Sequence, residues 1–267
     1  MSRLFYKLYA IVFARALFYK MNVILFRLSI RGLGVLNYYN DKLSGEKFFL
    51  NKALKNKNHK KIIIDIGANV GNYTINVNNI NNNTEIHAIE PMPATYKKLC
   101  ENLDGIQGVK TYNIAIGKQS EKLTIYDYDD QNSEHASLYK EVITELHESK
   151  NISEYRVDVI SLDEFCKMNN IENIDILKID TEGYEYNILS GARKMLTEKR
   201  IGIIHFEFNE MNVVSRIFFR DFIYLLENYK LYRLLPKGFL PLNKYTPILY
   251  ELFAYQNIIA IRNDMEL

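Results

Sequence analysis

A glycine-containing turn follows an apolar run that ends in a carboxylate. Residues 65–73 read DIGANVGNY, which places Gly67 and Gly71 on either side of Asn69. Glycine permits a sharp turn and close approach of a ligand, and an Asn amide can both donate and accept hydrogen bonds. The spacing is not G-x-G-x-x-G, so the nicotinamide-dinucleotide pattern is not met. Asp65, an anion ahead of the turn, suits a cationic ligand better than a phosphate.

A second carboxylate, Glu90, ends the next apolar run, 25 residues after Asp65, and Pro91 follows it directly. In nucleotide-binding α/β folds, a carboxylate at this position accepts hydrogen bonds from ribose hydroxyls. Taken alone, Asp65 could cap a turn and Glu90 could be a solvent-facing strand end. Both together, in this order, favour a nucleoside site.

Two later runs carry groups that could hold or remove a proton. Lys178 and Asp180 alternate along one run, and His205 and Glu207 alternate along another, so each pair shares a strand face. A hydroxyl acceptor that loses its proton needs such a base. We predict that Asp180 positions the reacting groups, that His205 or Glu207 is the base, and that Glu182 contributes from the next turn. Helix capping for Glu182 and a hydrogen-bonded core position for His205 are the alternatives.

Strands and helices alternate after residue 60, which predicts a doubly wound α/β domain with a mostly parallel sheet and helices on both faces. Ligands of such sheets bind beyond the carboxyl ends of the strands, where these carboxylates lie. The expected strands are 61–67, 85–90, 109–116, 123–128, 155–160, 175–180, 201–208, 231–235 and 258–262. The expected helices are 72–79, 94–103, one beginning at a Ser161 capping box, 184–196 and 218–228.

The first 40 residues differ from the rest. They contain six cations and no acidic residue, so their charge is +6 and the remainder of this +2 chain carries −4. The apolar stretches between these cations are shorter than the roughly 20 residues of a bilayer span, and Arg15 interrupts any signal-peptide core. We expect two short helices in a 1–55 extension, followed by a 56–267 domain. The extension either caps the core, which the pattern slightly favours, or contacts anionic membrane through residues 1–40.

Composition excludes some functions. The acidic remainder argues against nucleic-acid binding. The two cysteines, Cys100 and Cys166, give neither a disulfide framework nor a metal-ligand spacing, so we expect a reducing compartment and assign no metal ligands. A divalent ion bound by Asp180 and neighbouring carboxylates is left open, although no complete set of oxygen ligands is evident. We therefore expect a cytoplasmic protein, with peripheral contact at the inner face of the membrane if the extension binds lipid. The oligomeric state is left open.

Four segments together resemble the FkbM-type methyltransferases: DIGANVGNYT (65–74), IEP (89–91), VDVISLD (157–163) and LKIDTEGYEYNILSGA (177–192). The resemblance implies a class I methyltransferase sheet of seven strands, the last antiparallel, with S-adenosylmethionine as cofactor. It also implies O-methylation of a natural product or a sugar. We expect a hydroxyl of a sugar or surface-glycan precursor as acceptor. The alternatives are a small natural product, or a non-catalytic membrane-associated protein that retains the cofactor fold.

The resemblance also assigns roles to residues. Glu90 would hold the ribose, Ala115 would lie near the adenine, and Asp180 would lie close to the methyl group. The full predicted cofactor-binding set is Asp65, Gly67, Ala68, Asn69, Gly71, Asn72, Tyr73, Glu90, Pro91, Ala115 and Asp180. The predicted catalytic set is Asp180, Glu182, His205 and Glu207.

Overall fold

A large mixed sheet forms the centre of the computed structural model, which describes residues 2–128, 136–146 and 152–267. The strands are β1 Lys61–Ile66, β2 Thr84–Ile89, β3 Val109–Tyr112, β4 Ala115–Gly117, β5 Glu121–Tyr128, β6 Ile152–Ser161, β7 Ile174–Ile179, β8 Ile201–Phe208, β9 Tyr229–Leu235, β10 Gly238–Pro241 and β11 Gln256–Arg262. The large sheet has the order β10-β9-β11-β8-β7-β1-β2-β3. Its β3-β2-β1-β7-β8 part is parallel, and β11 pairs antiparallel with both β8 and β9.

The mostly parallel, doubly wound sheet confirms the predicted fold class, and it has eight strands where the family resemblance implies seven. The extra strand, β10, forms an antiparallel hairpin with β9 at the edge of the sheet. The expected strand 109–116 is divided: β3 ends at Tyr112, and Ala115 begins β4 in a separate three-stranded sheet. In that small sheet β6 lies between β4 and β5 and is antiparallel to β5. Much of the polar stretch 129–153 lies outside the described residues.

Helices cover both faces of the large sheet. They are α1 Ser2–Phe13, α2 Tyr19–Gly32, α3 Asp41–Ser44, α4 Glu46–Ala53, α5 Asn72–Ile80, α6 Pro93–Leu103, α7 Leu162–Met168, α8 Glu185–Ser190, α9 Arg193–Thr197, α10 Met211–Ser215, α11 Phe219–Leu225 and α12 Pro247–Tyr250, with short turns at Ala16–Phe18 and Val142–Leu146. Ser161 caps α7 by accepting a hydrogen bond from the Glu164 N–H, as predicted. The expected helix 184–196 is interrupted at Gly191, where a Cβ would overlap with the Gly117 carbonyl oxygen.

The core has two halves because successive strand residues face opposite sides of the sheet. Ile64 and Leu177 pack on one side in a cluster that includes side chains of α7, α8 and α11. Ile63 and Ile176 pack on the other side with α4 and α5, where Phe49 is fully buried. The packing brings the carboxyl ends of β1, β2, β7 and β8 to one edge of the sheet.

The N-terminal helices stand away from this core. Among the described residues of α1 and α2, only Ile30 is buried, whereas α4 packs firmly against the sheet. The expectation that the extension caps the core is therefore wrong for residues 3–29, because none of these residues is buried against the sheet or its helices. In the described part of the chain no single helix has the length and apolarity of a membrane span. The segments 3–13 and 16–32 meet that criterion only as a pair bent by 97°.

Candidate functional site

The turn after β1 is held tightly against two neighbouring strands. The backbone N–H groups of Gly67 and Ala68 both donate to the Ile89 carbonyl oxygen at 3.0 Å. Gly67 has a φ of 77°, and a Cβ there would overlap with the Asp180 carbonyl oxygen at the end of β7. Glycine is therefore required at this position by both conformation and close approach. The turn fixes the floor of a cleft between the ends of β2 and β7.

Glu90 occupies the β2 side of this cleft. Its Oε2 accepts a hydrogen bond from the Asn69 N–H at 3.0 Å, and its Oε1 accepts one from the Met92 N–H at 2.9 Å. Burial raises the pKa of Glu90 to about 7, and these two N–H groups oppose that rise. Each carboxylate oxygen has a second lone pair, so both can still accept hydrogen bonds from ligand hydroxyls.

Asp65 lies beneath the turn and does not line the cleft. Its Oδ2 accepts a hydrogen bond from the Thr74 hydroxyl at 2.7 Å, which ties the end of β1 to the first turns of α5. Burial raises the pKa of Asp65 to about 6, and the Thr74 hydrogen bond opposes that rise. Asp65 was predicted as a cofactor-binding residue, but it is buried and lies outside the lining of the cleft. Asp65 supports the turn from below.

A buried lysine joins two carboxylates on the other side of the turn. Lys178 Nζ lies 3.4 Å from Asp180 Oδ2 and 3.9 Å from Glu207 Oε1. The Lys178 side chain is 4% exposed, whereas that of Asp180 is 38% exposed. Burial lowers the pKa of Lys178, but Asp180, Glu207 and Glu46 outweigh it, so the ammonium group stays charged. Burial and then the neighbouring Asp180 raise the pKa of Glu207 well above its ordinary value.

His205 lies under the cleft and not in it. Its ring is fully buried, its Nε2 is 2.8 Å from Asn257 Oδ1, and it meets the Phe49 ring edge-on at 5.3 Å. Burial and then Lys178 lower its pKa well below the ordinary value, so the ring is neutral. The prediction that His205 is a base has no geometric support, because its ring is fully buried and does not line the cleft. Glu207, two residues further along the same strand face, reaches the cleft.

The loop after β7 is fixed from two directions. Glu185 Oε1 accepts hydrogen bonds from the N–H groups of Thr181 and Gly183, so this buried carboxylate organises the loop from within. The Ser137 hydroxyl donates to the carbonyl oxygen of Glu182 at 3.0 Å. Glu182 has a φ of 52°, a conformation that side chains other than glycine adopt rarely, and it lines the cleft.

These elements enclose a cleft of about 560 Å³. Of the residues predicted from the sequence, it is lined by Gly67, Asn69, Glu90, Pro91, Ala115, Asp180, Glu182 and Glu207. The others lie outside the lining: Ala68 and Tyr73 are buried behind the turn, Gly71 packs on Leu99 and Leu103, Asn72 is exposed at the start of α5, and Asp65 and His205 lie below.

Sequence reasoning missed part of the lining. Asn209 and Glu210 directly follow β8, so the rule that selected Asp180 after β7 could also have found them. Tyr38 and Tyr255 come from opposite ends of the chain, and their rings meet edge-on at 5.9 Å. The sequence gives no signal for that contact, because it depends on the Leu36 N–H donating to the Tyr255 carbonyl oxygen.

The cleft fits a positively charged nucleoside. Its volume lies within the usual range of roughly 300–1,000 Å³ for small-molecule sites. Glu90 offers acceptors for ribose hydroxyls on the β2 side, with apolar Met92, Ile114 and Ala115 beside it. Asp180, with Glu182 and Glu207, lines the β7–β8 side, where a cation is favoured. S-adenosylmethionine, which carries a sulfonium and an α-ammonium group, matches this division.

The sheet order and this cleft define a class I S-adenosylmethionine-dependent methyltransferase. The chain belongs to the FkbM methyltransferase family, since the family model described as "Methyltransferase FkbM domain" matches residues 65–232. The predicted family, enzyme class and cofactor are therefore confirmed.

The individual proteins that this chain is similar to have low sequence identity to it. The 2-O-methyltransferase NoeI of Sinorhizobium fredii is 22% identical over 66% of this chain and 75% of its own length. Methyltransferase 1 of Beauveria bassiana is 28% identical over 48% of this chain and 57% of its own length. The solved structure of M. jannaschii TYW2 in complex with AdoMet is 13% identical, covers 84% of this chain and 77% of that chain, and has a TM-score of 0.40.

Proposed function

We propose that this enzyme methylates a hydroxyl oxygen of a sugar, within a precursor of a surface glycan. The observation that carries the proposal is the convergence of Asp180 and Glu207 on Lys178 at the edge of the cleft. A carboxylate there can take the proton that a hydroxyl must lose. The relative NoeI, named as a 2-O-methyltransferase, supports oxygen as the acceptor atom.

The charges of the cleft favour a neutral acceptor. Asp180, Glu182 and Glu210 line it, and the ammonium group of Lys178 is buried and already shared between Asp180 and Glu207. An acceptor bearing a phosphate or carboxylate near the reacting oxygen would be repelled. An uncharged sugar hydroxyl would not be repelled. This argues for a saccharide whose charged or lipid-linked part lies outside the cleft.

The aromatic pair at the mouth supports the same acceptor. Tyr38 and Tyr255 present an apolar surface beside the polar groups of the cleft, and the Tyr255 hydroxyl accepts a hydrogen bond from Asn257. Sites of this composition orient a ligand with a few polar groups and enclose it with rings. A sugar has an apolar face and a rim of hydroxyls, so it can use both.

The residues then take distinct roles. When bound, S-adenosylmethionine would supply an electrophilic methyl group for the acceptor oxygen, with its sulfur as the leaving group. Glu207 takes the hydroxyl proton, and its raised pKa makes its ionised form a stronger base. Asp180 orients the acceptor. The charged Lys178 lies close to Asp180 and Glu207 and reduces the repulsion between these two carboxylates. Glu90 holds the ribose.

Transfer of labelled methyl groups to a panel of acceptors tests this proposal. The panel holds neutral oligosaccharides, nucleotide sugars, lipid-linked saccharides and small phenols. We expect label in saccharides, and labelling of phenols alone would refute the acceptor assignment. Glu207→Gln should lower kcat about 100-fold or more, and it should weaken the binding of S-adenosylhomocysteine far less than that.

A matched variant controls for the loss of one carboxylate. Glu101→Gln removes a charge from the outer face of α6, where the side chain is 64% exposed. It should leave kcat unchanged. Because only the ionised form of Glu207 accepts a proton, wild-type kcat should rise with pH, and Glu207→Gln should remove that limb. A Glu207→Gln enzyme with full turnover would show that another group is the base.

A further inference from the structure

The two N-terminal helices expose an unusual amount of apolar surface. Of the 25 large hydrophobic residues that are exposed in the described part of the chain, 14 lie between Leu4 and Leu28. Leu17 is 85% exposed, and Leu4 is 67% exposed. Scattered exposed hydrophobic residues are normal, but a continuous patch of this kind marks a surface that binds something else. We call residues 3–31 the basic arm.

The charge of the basic arm identifies the chemistry of its partner. Residues 1–40 contain six cations and no acidic residue, whereas the rest of the chain has a net charge of −4. Lys20, Arg27 and Arg31 are spaced by seven and four residues, so they lie along one side of α2. Exposed apolar residues lie next to these cations in the sequence, among them Met21, Phe26 and Leu28. An amphipathic helix with cations among apolar residues is typical of segments that lie in an anionic bilayer surface.

The shape of the arm suits a surface better than a core. The helices α1 and α2 meet at an elbow of 97°. Asn22 fixes this elbow: its Nδ2 donates to the Phe13 carbonyl oxygen at 2.9 Å, and its Oδ1 accepts from the Tyr9 hydroxyl at 2.7 Å. The elbow leaves an open groove of about 410 Å³, lined in part by Arg15 and Phe26. Both helices can therefore present side chains to a plane without unfolding.

The arm is joined directly to the mouth of the cleft. Arg31 Nη1 donates to the Leu36 carbonyl oxygen at 2.6 Å, and its guanidinium lies 5.2 Å from the Tyr39 ring centre. The Leu36 N–H in turn binds the Tyr255 carbonyl oxygen, and Tyr38 lines the cleft. A surface that holds the arm therefore also sets the position of the cleft mouth.

We propose that the basic arm binds the surface of an anionic lipid bilayer and holds the cleft mouth close to it. A lipid-linked acceptor presented at that surface would then reach the cleft without leaving the membrane. This last step rests on the function proposed above, whereas binding of the arm to lipid does not.

Vesicle co-sedimentation of the full chain tests the proposal. The probes are phosphatidylcholine vesicles with and without phosphatidylglycerol. We expect partition into the anionic vesicles only, weakened by added salt because the attraction is electrostatic. Each cation near an anionic surface strengthens partition about five-fold, so Lys20→Gln/Arg27→Gln should weaken it about 25-fold. Leu17→Asp/Ile24→Asp should also weaken it, since both side chains are largely exposed.

Lys167→Gln/Lys194→Gln is the matched control, because it removes the same charge from exposed positions on α7 and α9. It should bind vesicles like the wild type. All variants should keep the wild-type Kd for S-adenosylhomocysteine, which reports an intact fold independently of any acceptor.

Several results would overturn the proposal. Equal binding to neutral vesicles, or binding that the arm substitutions do not change, would remove the electrostatic argument. A dimer that only the arm substitutions dissociate would make a second copy of the chain the partner. Association that resists alkaline extraction would indicate insertion across the bilayer. If vesicle binding holds and saccharides stay unlabelled, only the acceptor assignment fails.

Discussion

Replacing Glu90 by Gln separates cofactor binding from folding, because this carboxylate has two roles. Its oxygens accept hydrogen bonds from the N–H groups of Asn69 and Met92, and its remaining lone pairs face the cleft. Glutamine keeps one acceptor oxygen and turns the other into a donor. One buried N–H then loses its partner, which costs about 1–3 kcal/mol of stability. The ribose loses a hydrogen bond to a charged group, worth about 1.5–3 kcal/mol.

The affinity for S-adenosylhomocysteine should therefore fall about 10- to 150-fold in calorimetric titration, measured where Glu90→Gln is still folded. Glu85→Gln is the control on the same strand. Glu85 binds Lys60 and Lys110, each at 2.7 Å, and lies outside the cleft lining. It should lower the melting temperature without changing the Kd. An unchanged Kd in folded Glu90→Gln would refute the placement of the ribose.

Three further changes test the structure. Gly67→Ala should destabilise the protein by more than the roughly 1–2 kcal/mol of a left-handed alanine, because its Cβ meets the Asp180 carbonyl oxygen. Gly105→Ala is the control, because Gly105 also has a positive φ of 74° but a Cβ there would contact no other atom. In urea unfolding of the two variants, Gly105→Ala should show the conformational cost alone. Burial raises the pKa of Glu46 from 4.5 to about 7, so its contribution to stability is lost as pH rises across that window. Between pH 4.5 and about 7, the free energy of unfolding of the cofactor-free Glu46→Gln variant, taken from melting curves, should decrease on the order of 2 kcal/mol less than that of the wild type. An equal decrease in both proteins would contradict the assignment. His205→Gln should lower the melting temperature but keep kcat at low temperature within about three-fold, since general-base loss would cost about 100-fold.

Local patterns predicted the sheet because parallel strands buried on both faces read as continuous apolar runs. The strands around Ile64 and Leu177 were visible for that reason, and so was the carboxylate after each of them. The same reading erred at His205, since alternation along a strand shows which face a side chain shares but not how far along the strand the cleft reaches. It also missed β10, whose four residues carry too little pattern to separate a strand from a loop.

The sequence by itself determined the class of protein through the four segments that resemble the FkbM-type methyltransferases, and its turn and carboxylates favoured a nucleoside site at a sheet edge. Only the tertiary structure decided which of these groups share the cleft. It placed Asp65 below the turn, brought Tyr38 to Tyr255 across the length of the chain, and left the basic arm uncovered. Such contacts depend on how distant segments pack, and packing leaves no periodic signal in the segments that meet.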